Sequence, residues 1–147
     1  MRNFAFAPQK IYDEFTRYFP LATVDVIVFD KNSFILTKRA IPPYKGLWHL
    51  PGGIIRKGER LESAAKRAVK KELNIDVTLK KFIGVYENPV RTRHDITHCF
   101  IATTHQGNIT NDFQSSSVRF FKKIPASTIP YHKIMIRNAL ALMKTKM

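Results

Sequence analysis

The stretch PGGIIRKGERLESAAKRAVKKELNI, residues 51–75, decides how this chain is read. Gly52 and Gly53 follow a strand-like approach from Trp48. They let the backbone come close to a ligand, with N–H and C=O groups free to face it. Glu59–Leu73 is composed of good helix formers. Leu61, Ala65, Ala68 and Glu72 recur there at helical spacing, so Glu72 continues an apolar, inward-facing row. A carboxylate in that place is costly unless a cation meets it. A metal ion would serve, or Arg67, which is near in sequence but on a different side of the helix. Taken alone, an acid that ends an apolar stripe reads as a solvated helix end. The glycine pair ahead of it turns the reading toward a ligand site.

Outward from this segment, helices and strands alternate. Residues 8–19 place Ile11, Phe15 and Phe19 at helix spacing, and Leu21–Phe29 is a Val- and Ile-rich strand. A turn at Asp30–Ser33 leads into a second strand, Phe34–Lys38, which makes a hairpin. Ile41–Gly46 is a Pro- and Gly-containing loop. Val77–Tyr86 and Thr97–Thr104 read as strands separated by a polar excursion, Glu87–Asp95. Gly107–Gln114 is a loop, Ser117–Phe121 a short strand, and Tyr131–Met143 a closing helix, apolar at Ile134, Ile136, Leu140 and Met143. This order predicts a mixed α/β (α+β) fold, helices packed on a sheet, in one domain over residues 1–147.

With 147 residues, 44% of them hydrophobic, the chain is long enough for a real core. No run of 18 apolar residues exists, so no spanning helix is expected. The opening MRNFAFAPQKIYDEF acquires acids too soon for a signal peptide. The single Cys99 excludes an internal disulfide and suits a reducing cytoplasm. A net charge of +14 favours anionic ligands such as nucleotides. The lysines are scattered and do not interleave with aromatics in any nucleic-acid motif, so nucleic acid is not the expected partner, although the charge leaves it open.

The segment resembles the Nudix box, G-x5-E-x7-R-E-U-x-E-E-x-G-U with U aliphatic. Gly53, Glu59, Arg67, Val69, Glu72 and Ile75 fall on its pattern, whereas Ala68 and Lys71 replace glutamates and Asn74 replaces glycine. Asn tolerates the left-handed backbone required after a helix. The resemblance implies a Nudix α/β/α sandwich with a mixed sheet. It also implies Mg²⁺ (Mn²⁺ as a substitute) on Glu72, the Gly52 carbonyl and Glu59, with Gly53 and Arg67 at the substrate. With so few acids a single ion is expected, since Lys71 would repel a second. Glu62 and Lys66 read as a solvated surface pair.

The same reduced box is similar to that of the GDP-mannose mannosyl hydrolases, as are residues 20–28, 36–39 and 46–53. That likeness implies a homodimer and cleavage of a C–O bond to give GDP and mannose. It would make His132 the general base, Asp25 a sugar-binding residue that also helps fix His132, and Arg39 a diphosphate contact. Ile54 departs from the branch, which has a basic residue there; Arg56 or Lys57 could replace it. Two alternatives stay open: a Nudix pyrophosphohydrolase of another nucleoside diphosphate derivative acting by P–O cleavage, and a non-catalytic nucleotide- or RNA-binding Nudix domain. His98 reads as structural or supporting, and His49, His94 and His105 as structural or solvated.

Overall fold

The computed structural model describes residues 7–42, 44–90, 92–107 and 115–145. Most of the Gly107–Gln114 loop, and the His105 side chain, lie outside the described residues. The first helix, α1 (Gln9–Tyr18), forms where the spacing places it, but it buries no residue. Its apolar row is exposed, with Ile11 at 57% and Phe19 at 58%, and Phe15 packs on Phe19 at 5.2 Å between ring centroids. Helix spacing thus identified the element but not a core face.

The hairpin of β1 (Leu21–Asp30) and β2 (Ser33–Arg39) turns through Lys31 in the left-handed region. β1 and β2 pair only near the turn, at Phe29 with Phe34 and Asp30 with Ser33. Further back, β1 takes the short β4 (Gly52–Ile54) as its antiparallel neighbour, while β2 pairs with β3 (Trp48–His49) and β7 (Ser115–Phe121). A wedge therefore opens between β2 and β4. On its other side β1 runs parallel to β6 (His94–Gly107), which pairs antiparallel with the edge strand β5 (Ile75–Pro89). Antiparallel and parallel pairs together make the expected mixed sheet.

The alternation of β1 sends Val24, Val26 and Val28 to one face and Ile27 and Phe29 to the other. The first face is covered by α2 (Leu61–Leu73) through Ala64, Ala65, Ala68, Val69 and Leu73. The second is covered by α3 (Pro130–Thr145) through Met135, Ile136 and Ala139. This is an α/β/α sandwich. Ile134, expected inside, is 50% exposed, and Met135 takes the inner position. The predicted polar excursion at Glu87–Asp95 is mostly strand. β5 reaches Pro89 and β6 starts at His94, because an edge strand can turn polar side chains to solvent and keep its ladder. α2 starts at Leu61, two residues later than expected, which leaves Glu59 in the preceding turn. It ends on Asn74 at φ 58°, ψ 38°, whose N–H bonds the Lys70 carbonyl at 2.9 Å. This is the left-handed cap that glycine would otherwise supply.

Candidate active site

Glu72 stands in the wedge between β2 and β4 and ties its walls together. Its Oε2 accepts the Thr37 hydroxyl of β2 at 2.8 Å, and its Oε1 accepts the Gly52 N–H of β4 at 3.2 Å. Behind Thr37 lies His49, with Nε2 2.8 Å from the Thr37 hydroxyl and Nδ1 2.8 Å from the Leu50 carbonyl. Two buried side chains, Thr37 of β2 and His49 of β3, and the Gly52 N–H thus fix one buried carboxylate of α2. His49 and Thr37 carried no motif in the sequence. The signal that could have found them is weak: polar residues inside otherwise apolar strands beside the glycine pair.

The two glycines differ. A Cβ on Gly52 would collide with the Val24 carbonyl and Asp25 Oδ1, whereas one on Gly53 would make an ordinary 3.5 Å contact with Ala68 Cβ. Close approach therefore requires glycine at 52, and the box glycine at 53 is not demanded by packing.

Glu59 and Arg67, expected at the metal and the substrate, are engaged with one another. Arg67 Nε donates to Glu59 Oε2 at 2.6 Å and Nη2 donates to Oε1 at 3.0 Å. Nη2 also reaches the Ile54 carbonyl at 2.8 Å, and the Arg56 N–H donates to Glu59 Oε1 at 3.0 Å. Burial alone would raise the Glu59 carboxyl, but these bonds outweigh it and hold the carboxyl below its ordinary range. Here the pair clamps the turn between β4 and α2 onto the helix. The cation in this pair answers Glu59.

On the opposite face, Asp25 and His132 meet under Gly52. Asp25 Oδ2 accepts the Thr97 hydroxyl at 2.7 Å and lies 3.9 Å from His132 Nε2. His132 Nδ1 accepts the Leu50 N–H at 2.9 Å, so the ring proton of the neutral form sits on Nε2. Burial, and next the neighbouring His49, push His132 well below its ordinary value. Burial raises Asp25 well above its own, with the Thr97 bond opposing and the Asp95 and Glu72 charges adding. The ring's lone pair, which a general base needs, is occupied by the backbone of the strand leading to Gly52. In this arrangement His132 holds that strand.

Arg39, at the end of β2, is half-buried. Nη2 makes one long bond of 3.4 Å to the Pro42 carbonyl, and buried Nε has no partner among the described residues. Burial, and then the charge of Arg93, lower its pKa. A guanidinium so placed is suited to an anion.

The other expectations fall outside this centre. Lys71, Lys57, Glu62 and Lys66 are exposed, and Ile54 is half-buried. His98 Nδ1 is 3.0 Å from the Thr23 carbonyl, a supporting place. His94 lies 3.7 Å from Glu87 at the surface. Cys99 is fully buried, and burial pushes its thiol up, as befits an inert side chain.

The donor set suits a hard cation. Glu72 presents a carboxylate oriented by the Thr37 hydroxyl and the Gly52 N–H, and a carboxylate oxygen can accept more than one partner. Among the described residues no cluster of three or more His, Cys, Asp or Glu side chains could hold a metal alone. The remaining positions would fall to the Gly52 carbonyl, substrate oxygens and water.

Known proteins are similar to this chain. A protein of Methanocaldococcus jannaschii described as ADP-ribose pyrophosphatase is 32% identical over 120 residues, 79% of this chain and 71% of the relative. The low-salt glycan biosynthesis protein Agl8 of Haloferax volcanii is 26% identical over 132 residues, 84% and 85% of the two chains. The crystal structure of a MutT NUDIX hydrolase from Burkholderia pseudomallei superposes with a TM-score of 0.76 at 20% identity, covering 81% of this chain and 97% of that one. The NUDIX domain family matches residues 20–139. Together with the box, the sandwich and the Glu72 wedge, this match places the chain in the NUDIX domain family, with the fold of its hydrolases.

Proposed function

We propose that the chain is a divalent-metal-dependent pyrophosphohydrolase of a nucleoside diphosphate linked to a sugar, cleaving at phosphorus. The observation that carries this is that Arg39 stands two residues beyond Thr37, the anchor of Glu72, on β2: an anchored carboxylate for the cation and a half-buried guanidinium, its Nε without a partner among the described residues, for the diphosphate. Mg²⁺ bound there would neutralise phosphate charge and polarise the phosphorus under attack. The chain's own part is positional. Gly52 brings backbone against the ligand, the Glu59–Arg67 clamp sets the loop, and Thr37 with His49 aims Glu72. The similarity to a protein described as an ADP-ribose pyrophosphatase supports this choice.

A second reading, C–O cleavage of GDP-mannose to GDP and mannose, rests on the loss of acids. Ala68 is buried against the core and Lys71 is exposed, so one carboxylate, Glu72, serves the cleft, and a single ion at a departing diphosphate suits that chemistry. It needs a general base, however, and His132 would have to release the Leu50 N–H to become one. The homodimer belongs to this second reading.

Incubation with Mg²⁺ and a panel of ADP-ribose and nucleotide sugars in ¹⁸O-water separates the two. Attack at phosphorus turns GDP-mannose into GMP and mannose 1-phosphate, or ADP-ribose into AMP and ribose 5-phosphate, with the label on phosphate. GDP and labelled mannose would establish the second reading instead. No turnover across the panel, with nucleotide binding retained after Glu72→Gln, would leave a binding domain. Chelation of the metal is expected to abolish turnover.

A further inference from the structure

Because β1 runs antiparallel to β2 and parallel to β6, the end of β2 and the beginnings of β1 and β6 lie at one end of the sheet. Arg39 closes β2 there, and Arg93 stands just before β6, in the turn where its N–H bonds the Val90 carbonyl at 3.3 Å. Neighbouring strands are about 4.8 Å apart, so two arginine side chains can reach toward each other across the start of β1. Arg93 is the largest charge influence on Arg39.

Arg93 is held directly from β6 and α1 and, through Asp95, from α3. Its Nε donates to Asp95 Oδ1 at 2.6 Å, and its Nη1 donates to the Tyr12 hydroxyl of α1 at 3.2 Å. The other Asp95 oxygen accepts the Tyr131 hydroxyl of α3 at 3.2 Å. Two guanidinium groups at one sheet end repel each other; Asp95 bonds that of Arg93, and the buried Nε of Arg39 has no partner among the described residues. A bound dianion would satisfy that donor and neutralise the excess charge.

We propose that Arg93 is a second diphosphate-binding residue, forming with Arg39 a two-guanidinium clamp across the start of β1; this rests on the diphosphate-hydrolase reading above. Asp95 and Tyr12 orient the Arg93 fork, so the β5–β6 turn and α1 become part of the substrate site. The clamp grips the diphosphate and leaves the bond-breaking step to the Glu72 side of the cleft. Its loss therefore appears in binding and KM, with little change in kcat.

Titration calorimetry with inorganic pyrophosphate in metal-free buffer, paired with kinetics on the substrate found in the panel, tests the clamp. Arg93→Gln is expected to weaken pyrophosphate binding roughly ten- to a hundredfold and to raise KM alike, with kcat within about threefold. Arg93→Lys keeps the charge but loses the planar fork and is expected to fall between wild type and Arg93→Gln, at roughly three- to tenfold. Tyr12→Phe removes the hydrogen bond while leaving the charge, and a loss of about threefold or less is expected. Unchanged pyrophosphate affinity in Arg93→Gln, or in Arg93→Lys should the first variant fail to fold, overturns the clamp while the hydrolase stands. A Tyr12→Phe loss as large as that of Arg93→Gln overturns it too, by assigning the effect to the seating of α1. A wild-type protein that neither binds pyrophosphate nor hydrolyses any nucleoside diphosphate derivative removes both.

Discussion

The two faces of the sheet treat their buried acids in opposite ways. On the α2 face, Glu72 receives an N–H and an O–H from two strands that have parted. On the α3 face, Asp25 and His132 lie 3.9 Å apart in a place where burial pushes both toward their neutral forms. Gly52 serves both arrangements: its N–H bonds Glu72, and its missing side chain leaves room for Asp25. The difference teaches that nearness to a cleft does not make a residue reactive. What counts is whether the hydrogen bonds to its charged form outweigh the desolvation.

The largest expected effect falls on the shared glycine. Gly52→Ala places a methyl against the Val24 backbone, which cannot yield, and is expected to cost about 3 kcal/mol or more and to abolish activity. Gly53→Ala meets only an ordinary contact and is expected to fold with nearly wild-type stability, as denaturant titration of the pair would show. Equal losses in the two variants would erase the distinction between the glycines.

Next comes Glu72→Gln. It keeps the shape but removes the charge a cation needs, so kcat/KM is expected to fall roughly 10²–10³-fold with little change in melting temperature. A full-rate Glu72→Gln enzyme would mean that the metal is held elsewhere. Glu59→Gln should behave in the reverse manner, because Glu59 is bound to Arg67 and not aimed at the cleft. It leaves the guanidinium without its counter-charge, and a stability loss of about 3 kcal/mol is expected in chemical denaturation.

On the α3 face, pH is the lever. His132 has a folded pKa below its unfolded value of about 6.5, so the unfolded chain binds the extra proton first. Stability contributed by the neutral ring is full above about pH 6.5 and is lost as pH falls, at up to about 1.4 kcal/mol per pH unit. Asp25 works in the opposite sense: its raised pKa makes the folded state lose stability as pH rises from about 3.8 toward the folded value. His132→Asn can still accept the Leu50 N–H and is expected to flatten the acid-side slope below pH 6.5. A slope identical to wild type would show that other groups carry it. The smallest effect is at the helix cap, where Asn74→Ala is expected to cost about 1 kcal/mol and Asn74→Gly to be neutral or slightly stabilising by thermal melting.

The box region was legible because its signals are local. Helical spacing put Ala65, Ala68 and Glu72 on one buried row, and the left-handed cap at Asn74 follows from one residue's backbone tolerance. Even so, helix-forming composition assigned Glu59 to a helix that starts only at Leu61, and Glu59, which the resemblance placed at the metal, turns back to Arg67. Helix spacing made α1 plausible but could not tell an inner face from an exposed one, and Phe15 and Phe19 remain at the surface. Thr37, His49 and Thr97 gave at most a weak signal, since an isolated Thr or His in a strand acquires meaning only from its cross-strand neighbour.

By itself, the sequence determined the family box, the glycine approach, the buried row ending in Glu72 and the alternation of helices and strands. These depend on residues close enough along the chain to share one helix or one turn. The tertiary structure decided which partners those residues meet: Thr37 and His49 for Glu72, Glu59 for Arg67, Leu50 for His132, and Arg93 near Arg39. Such pairings join strands far apart in sequence, and whether a lone pair is free or a charge desolvated depends on them. For that reason the cleft could be located from the sequence, while the role of His132 had to wait for the fold.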